Sequence, residues 1–176
     1  MYLVNSQINL RALEPEDLDL LYKWENDTNQ WIHSSTLSPY SKLTLRQYIN
    51  DAIEMDIYQS KQLRLMIDTS DNTTIGSIDL YDFDVRNKRA GVGILIDEQF
   101  RNKKYGCQAL HILRDYAFNY LNMNQLYAYI SQSNHVSIQL FEKAGYIQCG
   151  FFQNWICTDN GFEDVIVVQL INDKKG

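Results

Sequence analysis

The sequence is poor in residues that break or cross-link a chain: its 176 residues include only 2 Pro, 8 Gly and 3 Cys. Few prolines and glycines, together with 45% hydrophobic residues, argue against disorder and predict one compact domain spanning residues 1–176. Cys107, Cys149 and Cys157 are odd in number and lack a C-x-x-C spacing, which disfavours a disulfide framework or a zinc site. We therefore expect reduced thiols, no metal and a cytoplasmic location.

The sequence also lacks long apolar runs and an excess of positive charge. No stretch approaches the roughly 18 apolar residues of a membrane span, and the first residues do not resemble a signal peptide. Lys and Arg number 16 against 22 Asp and Glu, for a net charge of -6. These features disfavour nucleic acids and membranes as partners, and they are compatible with a small cationic substrate.

The first third of the chain predicts one strand and two helices. Residues 7–13 alternate apolar and polar side chains, as a half-buried strand does. Helix-start signals at residues 14–17 and 41–44 each precede apolar residues at helical spacing. Between the two helices, residues 26–40 are rich in Asn, Ser and Thr and predict a loop of the kind that covers substrate sites. In that loop, an incidental role for His33 is favoured over a role as a base.

In the rest of the chain, the spacing of apolar residues changes several times between strand-like and helix-like patterns. Residues 63–67, 74–83 and 90–96 predict three strands joined by short polar turns, which makes an antiparallel meander. After them the pattern predicts a helix following Arg101, a strand at 126–130, a helix closed by Gly145, and strands at 146–152 and 165–170. The resulting class is α/β (α+β).

The loop between the third strand of the meander and the next helix is a candidate anion site. Arg101, Lys103 and Lys104 lie just before the helix, whose first backbone N–H groups lack intrahelical partners and attract anions. Gly106 lets the backbone approach an anion closely. From spacing alone a solvated basic loop is favoured over a phosphate site, and the pattern matches neither the P-loop nor the dinucleotide-binding motif.

Two motifs in this order carry a resemblance to a known family. Residues 134–146 read NHVSIQLFEKAGY and resemble the N-x-x-S/A-x-x-L-x-x-K-x-G-F/Y signature of GNAT-superfamily N-acetyltransferases. Residues 101–107 resemble the R/Q-x-x-G-x-G/A acetyl-CoA loop of that family. Residues 8–13 and 161–165 look like the subgroup that holds spermidine and ribosomal-protein N-terminal acetyltransferases. The resemblance spans nearly the whole chain.

This resemblance implies a single GNAT-like domain. Its mixed, mostly antiparallel sheet would have about seven strands flanked by helices, with the fourth and fifth strands splayed apart. Acetyl-CoA would be the co-substrate, with its pantetheine arm along the fourth strand and its pyrophosphate on the backbone amides of residues 102–107. The residues implied in binding it are Ile94, Leu95, Ile96, Arg101, Asn102, Lys103, Lys104, Tyr105, Gly106, Cys107, Asn134 and Lys143.

The chain departs from the family at three positions. Lys104 replaces the first loop glycine, and Gly91 stands where many relatives carry a Glu. Phe141 stands where related enzymes often place a Tyr that serves as general acid. Tyr146, Tyr129 or water would then supply the proton, or the thiolate leaves as an anion, since a thiol pKa of about 8.5 makes it a fair leaving group.

Asp82 is the candidate for the missing carboxylate. If the polar turn at residues 86–88 closes a tight hairpin, Asp82 lies opposite Gly91 and binds or deprotonates the amine. Asp79 and Asp84 are alternatives. A purely structural account, in which these acids form the polar face of a half-exposed strand, explains them equally well.

The function implied by these features is transfer of an acetyl group from acetyl-CoA to a primary amine, with a polyamine such as spermidine favoured. Alternative acceptors are the N-terminal amine of a protein, such as a ribosomal protein, or another small amine. The non-enzymatic alternative is an acyl-CoA-binding sensor with little turnover. The family also implies a homodimer through the C-terminal strands.

Overall fold

The computed structural model describes residues 2–34 and 36–173. The strands are β1 (Ile8–Ala12), β2 (Leu63–Thr69), β3 (Thr74–Asp84), β4 (Arg89–Ile96), β5 (Gln125–Ser131), β6 (Ile147–Thr158) and β7 (Gly161–Ile171). Within the described residues they form one sheet in the order β1-β2-β3-β4-β5-β7-β6. Neighbours are antiparallel except β4 and β5, which are parallel. The predicted mixed, mostly antiparallel sheet is confirmed.

Helices pack on both faces of the sheet. They are α1 (Leu18–Glu25), α2 (Thr28–Ser34), α3 (Lys42–Glu54), α4 (Ile57–Ser60), α5 (Tyr105–Asn119) and α6 (His135–Lys143). Short 3-10 turns at Pro15–Asp17 and Glu98–Phe100 precede α1 and α5. Ser41 begins α3 as its side chain accepts a hydrogen bond from Thr44 N at 3.0 Å, so the predicted polar start is confirmed. Across residues 2–34 and 36–173, none of the helices has the length and apolar character that a membrane crossing requires.

The structure corrects the predicted loop at residues 26–40. Thr28–Ser34 forms α2 there, although its polar sequence lacks a clear apolar stripe. Asp27 starts this helix by accepting a hydrogen bond from Asn29 N at 3.0 Å, and the Trp31 indole holds it by donating to the Glu25 carbonyl at 2.9 Å. The side chain of His33 and all of Ser35 lie outside the described part of the chain.

Two apolar clusters pack against opposite faces of the sheet. On one face α5 and α6 bury a large cluster that includes Leu80, Val92, Leu113, Leu126 and Phe141. On the other face α1 and α3 bury a smaller cluster around Trp24 and Met66. In the described ranges this second cluster contains no residue of β5, β6 or β7. The helices therefore leave that half of the second face open.

The last two strands form a hairpin longer than the predicted strands at 146–152 and 165–170. β6 lies at the free edge of the sheet, and its register against β7 shifts twice, between Gln148 and Gly150 and between Phe152 and Ile156. These bulges interrupt the alternation of apolar and polar residues. The sequence pattern consequently predicted only the most regular parts of the two strands.

Candidate functional site

The two parallel strands separate soon after they meet. β4 and β5 pair only at Arg89–Gln125, Ala90–Leu126 and Gly91–Tyr127. Beyond these pairs β4 continues to Ile96 beside β3, while β5 continues beside β7. The predicted splay is confirmed, and it leaves the β4 backbone from Val92 onward free to pair with an amide-bearing ligand.

Ile94, Leu95 and Ile96 lie on this free part of β4. Ile94 and Ile96 contact the α5–α6 cluster, and Leu95 contacts the α1–α3 cluster. The side chains are thus fixed by packing on both faces, and the backbone edge faces the gap. The Ile96 carbonyl also accepts a hydrogen bond from Arg101 Nε at 3.0 Å, which anchors the loop that follows.

The loop before α5 has the backbone of an anion-binding nest. Asn102 and Lys104 both adopt left-handed conformations, with φ of 62° and 66°. Left-handed residues turn neighbouring N–H groups to the same side. The amides of Tyr105, Gly106 and Cys107 open α5 and find no backbone acceptor among the described residues. The exposed side chains of Arg101, Lys103 and Lys104 add positive charge. These residues fit a phosphate or pyrophosphate group.

Gly106 has a role in helix packing, which differs from the predicted role in anion binding. A Cβ atom at this position would lie 3.2 Å from Leu140 Cδ2 and 3.6 Å from Ile96 Cγ1. The missing side chain therefore permits α5 to pack closely on α6. Its hydrogen faces the protein interior, so the prediction that it makes room for an anion is wrong.

Asn134 and Lys143 lie at opposite ends of α6. Asn134 caps the helix, because its Oδ1 accepts a hydrogen bond from Ser137 N at 3.1 Å. Its amide nitrogen has no partner in the described part of the chain and remains available as a donor. Lys143 is exposed one turn beyond Leu140, the residue that packs on Gly106.

Cys107 is part of the helix packing. It is partly buried against the α5–α6 cluster, and its Sγ lies 4.0 Å from His111 Nε2. Burial lowers the pKa of His111, which keeps this ring neutral near pH 7. The contacts give the Cys107 side chain a packing role.

The ring of Tyr81 fills the space beside Gly91. The two residues are directly opposite each other on β3 and β4, and a Cβ atom at Gly91 would overlap the Tyr81 ring. The ring also makes an edge contact with Tyr127, at 6.0 Å between centroids. Burial raises the pKa of the Tyr81 phenol, so the group stays neutral. No carboxylate side chain fits at residue 91 while this ring is there.

The prediction that Asp82 lies opposite Gly91 is wrong. β3 pairs Tyr81 with Gly91 and Asp84 with Arg89, so Asp82 falls in a bulge between these pairs with φ of 48°. Its side chain is exposed and has no hydrogen-bond or ion-pair partner among the described residues. It nevertheless lies near the aromatic rings: burial, followed by the charge of Asp82, raises the pKa of Tyr127 to about 12.

The alternative carboxylates are committed to structural contacts. Asp79 binds Arg64 through both oxygens, at 2.7 and 3.2 Å, and Arg64 also binds Glu25 at 2.6 Å. These ion pairs join α1 to β2 and β3. Asp84 accepts hydrogen bonds from Asn87 N and Nδ2, at 2.9 and 2.7 Å, which lower its pKa. It fixes the turn between β3 and β4.

Phe141 and Tyr146 lie together in the cluster under α5 and α6. Phe141 is 2% exposed, and its ring centroid lies 4.9 Å from that of Tyr146. The Tyr146 hydroxyl is buried and lacks a hydrogen-bond partner among the described residues. Burial raises its pKa, so it is a neutral donor. A buried hydroxyl without a partner is rare in folded proteins.

Sequence reasoning missed two carboxylates near the gap. Glu163 on β7 accepts hydrogen bonds from Ser131 Oγ at 2.6 Å and Ser133 N at 2.5 Å, and so ties down the segment that leads into α6. Asp97, just after β4, accepts from Lys23 at 2.5 Å and from the Trp24 indole at 2.9 Å. No short-range pattern links these residues, because their partners are 30 or more positions away.

Asp97 also lines a cavity beside the loop. This cavity has a volume of about 240 Å³ and is bordered by Lys23, Trp24, Asp97 and Arg101. Burial tends to raise the pKa of Asp97, but the hydrogen bonds from Lys23 and Trp24 prevail and lower it. Asp97 is therefore charged at neutral pH and holds α1 against the end of β4.

Known proteins share this architecture. A family model described as an acetyltransferase (GNAT) domain matches residues 7–147. Spermidine N(1)-acetyltransferase of Vibrio cholerae is 22% identical over 174 residues, which cover 97% of this chain and 96% of that protein. The crystal structure of spermidine N-acetyltransferase from Vibrio cholerae in complex with CoA and spermine superposes with a TM-score of 0.85 at 23% identity, over 95% of this chain and 96% of that one. A dodecameric structure of the Vibrio cholerae enzyme gives 0.79 at 21% identity, over 97% and 96%.

Proposed function

The chain belongs to the GNAT family of acetyltransferases, whose acyl donor is acetyl-CoA, and we propose that this member acetylates a polyamine such as spermidine. One observation carries the assignment of the donor site. The unpaired edge of β4 leads directly into the nest of backbone amides at residues 102–107. A strand edge suits the amide groups of pantetheine, and a nest at a helix start suits a pyrophosphate.

The proposed donor site consists of the following residues. The backbone of Ile94, Leu95 and Ile96 would hydrogen-bond the pantetheine arm, and the free amide of Asn134 would approach it from the other side of the gap. The positively charged side chains of the loop, together with Lys143, would attract the phosphate groups of the donor. The residues proposed to contact the pyrophosphate belong to the loop and to the first turn of α5: Arg101, Asn102, Lys103, Lys104, Tyr105, Gly106 and Cys107.

The proposed reaction is direct transfer in a complex of both substrates. The lone pair of the neutral amine attacks the thioester carbonyl carbon, the new C–N bond forms and the C–S bond breaks. The amine loses one proton, and the CoA sulfur takes up one proton. Holding both reactants in line supplies much of the acceleration in such a reaction.

Two side chains are proposed to assist the proton movements. The neutral Tyr146 hydroxyl is the proposed donor for the leaving sulfur, because it is buried and has no hydrogen-bond partner among the described residues. Asp82 is proposed to attract the protonated amine, because it is exposed and unpaired beside Tyr127. Water would accept the proton that the amine loses.

The choice of a polyamine rests on charge and on relatives. The chain has a net charge of -6, and the exposed basic residues Arg101, Lys103 and Lys104 lie at the proposed donor site. The Vibrio cholerae relative is named for acetylation of spermidine and is seen with spermine. A cationic acceptor fits a protein that is acidic overall and whose basic loop lies at the proposed donor site.

The test is a screen for thiol release from acetyl-CoA with polyamines, aminoglycosides and peptides with free N-termini. We expect steady CoA release with spermidine or spermine and much slower release with the other amines. Fastest release with a peptide would replace the polyamine by a protein N-terminus. Tight binding of acetyl-CoA without release for any amine would support the acyl-CoA sensor and overturn the enzymatic assignment.

Asn134→Asp tests the donor site separately. Aspartate keeps the oxygen that caps α6 but lacks the amide N–H groups. We expect unchanged thermal stability and a dissociation constant for acetyl-CoA raised about tenfold, the usual effect of losing one good hydrogen bond in a binding site. Asn134→Ser, another good cap without the amide, is the matched control for the carboxylate charge.

Three coarser predictions from the sequence accompany this proposal. One domain over residues 1–176 is expected to unfold in a single transition. The three cysteines, unpaired in the structure, suit a reducing compartment such as the cytoplasm. A homodimer remains a prediction, and light scattering would distinguish it from a larger assembly such as the dodecamer of the relative.

A further inference from the structure

We propose that a continuous row of aromatic side chains binds the acceptor as an extended organic cation. The row starts at Tyr81, passes through Tyr127, Tyr129 and Phe152, and ends at Trp155; successive ring centroids are 6.0, 5.3, 5.7 and 4.7 Å apart. This inference rests on the proposed function. It adds the residues that distinguish a long polyamine from a short amine.

The inner end of the row lies where β4 and β5 separate. Gly91 and Tyr127 form the last pair between these strands, and the Tyr81 ring lies over Gly91. The row thus begins at the closed end of the gap assigned to the pantetheine arm. An amine bound on these rings would lie near the reacting thioester.

The row lies on the open half of the sheet. Leu126 and Ile130 of β5 are buried under α5 and α6, whereas Tyr127 and Tyr129 alternate with them and point to the opposite face. The helices on that face do not cover β5 to β7 in the described ranges. Tyr129 is 48% exposed and Trp155 is 63% exposed, so a ligand can reach the row from solvent.

A bulge brings the outer end of the row together. Phe152 and Trp155 are three residues apart, a spacing that would point them to opposite faces of a regular strand. The register shift between Phe152 and Ile156, with Asn154 at φ of 51°, brings their rings to 4.7 Å. Asp164 holds the bulge by accepting a hydrogen bond from Asn154 N at 2.8 Å. Bulges next to binding sites commonly redirect side chains in this way.

Charge at the inner end selects a cation. Besides burial, the carboxylates of Asp82 and Asp84 raise the pKa of Tyr127, whereas Arg89 lowers it. Arg89 is paired with Asp84 at 3.4 Å, while Asp82 has no partner in the described residues. The uncompensated charge next to the rings is therefore negative. Electron-rich ring faces beside a carboxylate are complementary to an ammonium group.

The occupant that fits these features is a flexible chain carrying two or more ammonium groups. Its charged nitrogens would lie over the rings, and its methylene groups would contact the apolar ring surfaces between them. A second copy of this protein or an apolar peptide would also cover exposed aromatic side chains. Neither occupant explains the unpaired Asp82 at the inner end, and both are outcomes of the test below.

The test compares Trp155→Leu with Phe162→Leu. Phe162 on β7 is 67% exposed and is outside the row, so its replacement is the matched control. We expect Trp155→Leu to raise the KM for spermine about three- to tenfold with little change in kcat, as expected for one lost cation–π contact. The KM for 1,3-diaminopropane, which is too short to reach Trp155, should not change. Phe162→Leu should leave both values unchanged.

Calorimetric titration of spermine into CoA-saturated protein separates this inference from the proposed function. Weaker binding by Trp155→Leu, but not by Phe162→Leu, would support the row even if no amine were turned over. Equal effects of the two variants, or an equal effect on the short diamine, would overturn it. A loss of subunits in Trp155→Leu by light scattering would assign the row to an interface between copies. Failure of wild-type protein to bind spermine would also overturn it.

Discussion

Tyr81 occupies the space that any side chain at Gly91 would need. The two residues face each other across β3 and β4, and even a single added methyl group at residue 91 would overlap the ring. The absence of a carboxylate on β4 is therefore coupled to the presence of a bulky residue on β3. The Tyr81 ring therefore fills the space beside Gly91, and no hole is left there.

The coupling predicts the behaviour of a double-mutant cycle. Gly91→Ala should lower the free energy of unfolding by about 1–3 kcal/mol, because the methyl group overpacks the Tyr81 ring. In a Tyr81→Ala background the same change should cost close to nothing. Urea denaturation of the four proteins gives the coupling energy. Additive effects of the two changes would contradict the close contact.

Lys104 is predicted to lower stability through its backbone. Its φ of 66° is unfavourable for any residue with a Cβ atom, so Lys104→Gly should stabilise the fold by about 0.5–1 kcal/mol. Lys103→Gly removes the same charge at a residue without a positive φ, so it should not increase the stability of the fold. Thermal unfolding compares the two variants. Their affinities for acetyl-CoA should change equally if the side chains act only through charge.

Tyr146→Phe is predicted to separate stability from activity. Removing a buried hydroxyl that has no partner should raise the free energy of unfolding by about 1 kcal/mol. If this hydroxyl donates to the leaving sulfur, kcat should fall about tenfold to a hundredfold, near the lower end for acid catalysis because a thiolate leaves readily. Unchanged kcat would assign the protonation to water. The exchange of both residues, Phe141→Tyr with Tyr146→Phe, should restore part of the lost rate.

Asp97 is predicted to make stability depend on pH in the acid range. Its folded-state pKa is lowered, so its contribution is complete above the unfolded value of about 3.9 and is lost as pH falls through the folded value. Asp97→Asn should cost about 1–2 kcal/mol at pH 7, where it loses a charged partner for Lys23 and Trp24. The difference from wild type should shrink below pH 4. A constant difference from pH 7 to pH 3 would contradict the lowered pKa.

Local sequence signals predicted most elements but missed features that depend on distant partners. The start of α3 at Ser41 was predicted because capping acts over three residues. The splay was expected only from the family resemblance, since no spacing in β4 or β5 reveals where the pairing stops. The bulge at Asp82 was missed because a single residue with positive φ shifts the register of the hairpin.

In the candidate site, too, the sequence did not reveal contacts between residues that are far apart along the chain. Glu163 reaches Ser133, 30 residues away, and no pattern in the sequence connects them. The role of Gly106 was mistaken because the sequence does not tell which neighbour a missing side chain would meet. Likewise, α2 has no apolar stripe, so only the contacts of Asp27 and Trp31 show why those residues are helical.

The interrupted pairing of β6 has a consequence for the behaviour of the protein at high concentration. A strand at the edge of a sheet can recruit strands from other molecules and start aggregation. Between its two register shifts and its ends, β6 runs regularly against β7 for only a few residues at a time. An incoming strand would lose register after each short run. The same bulge that aligns Phe152 with Trp155 thus also protects the molecule from polymerising through its own edge.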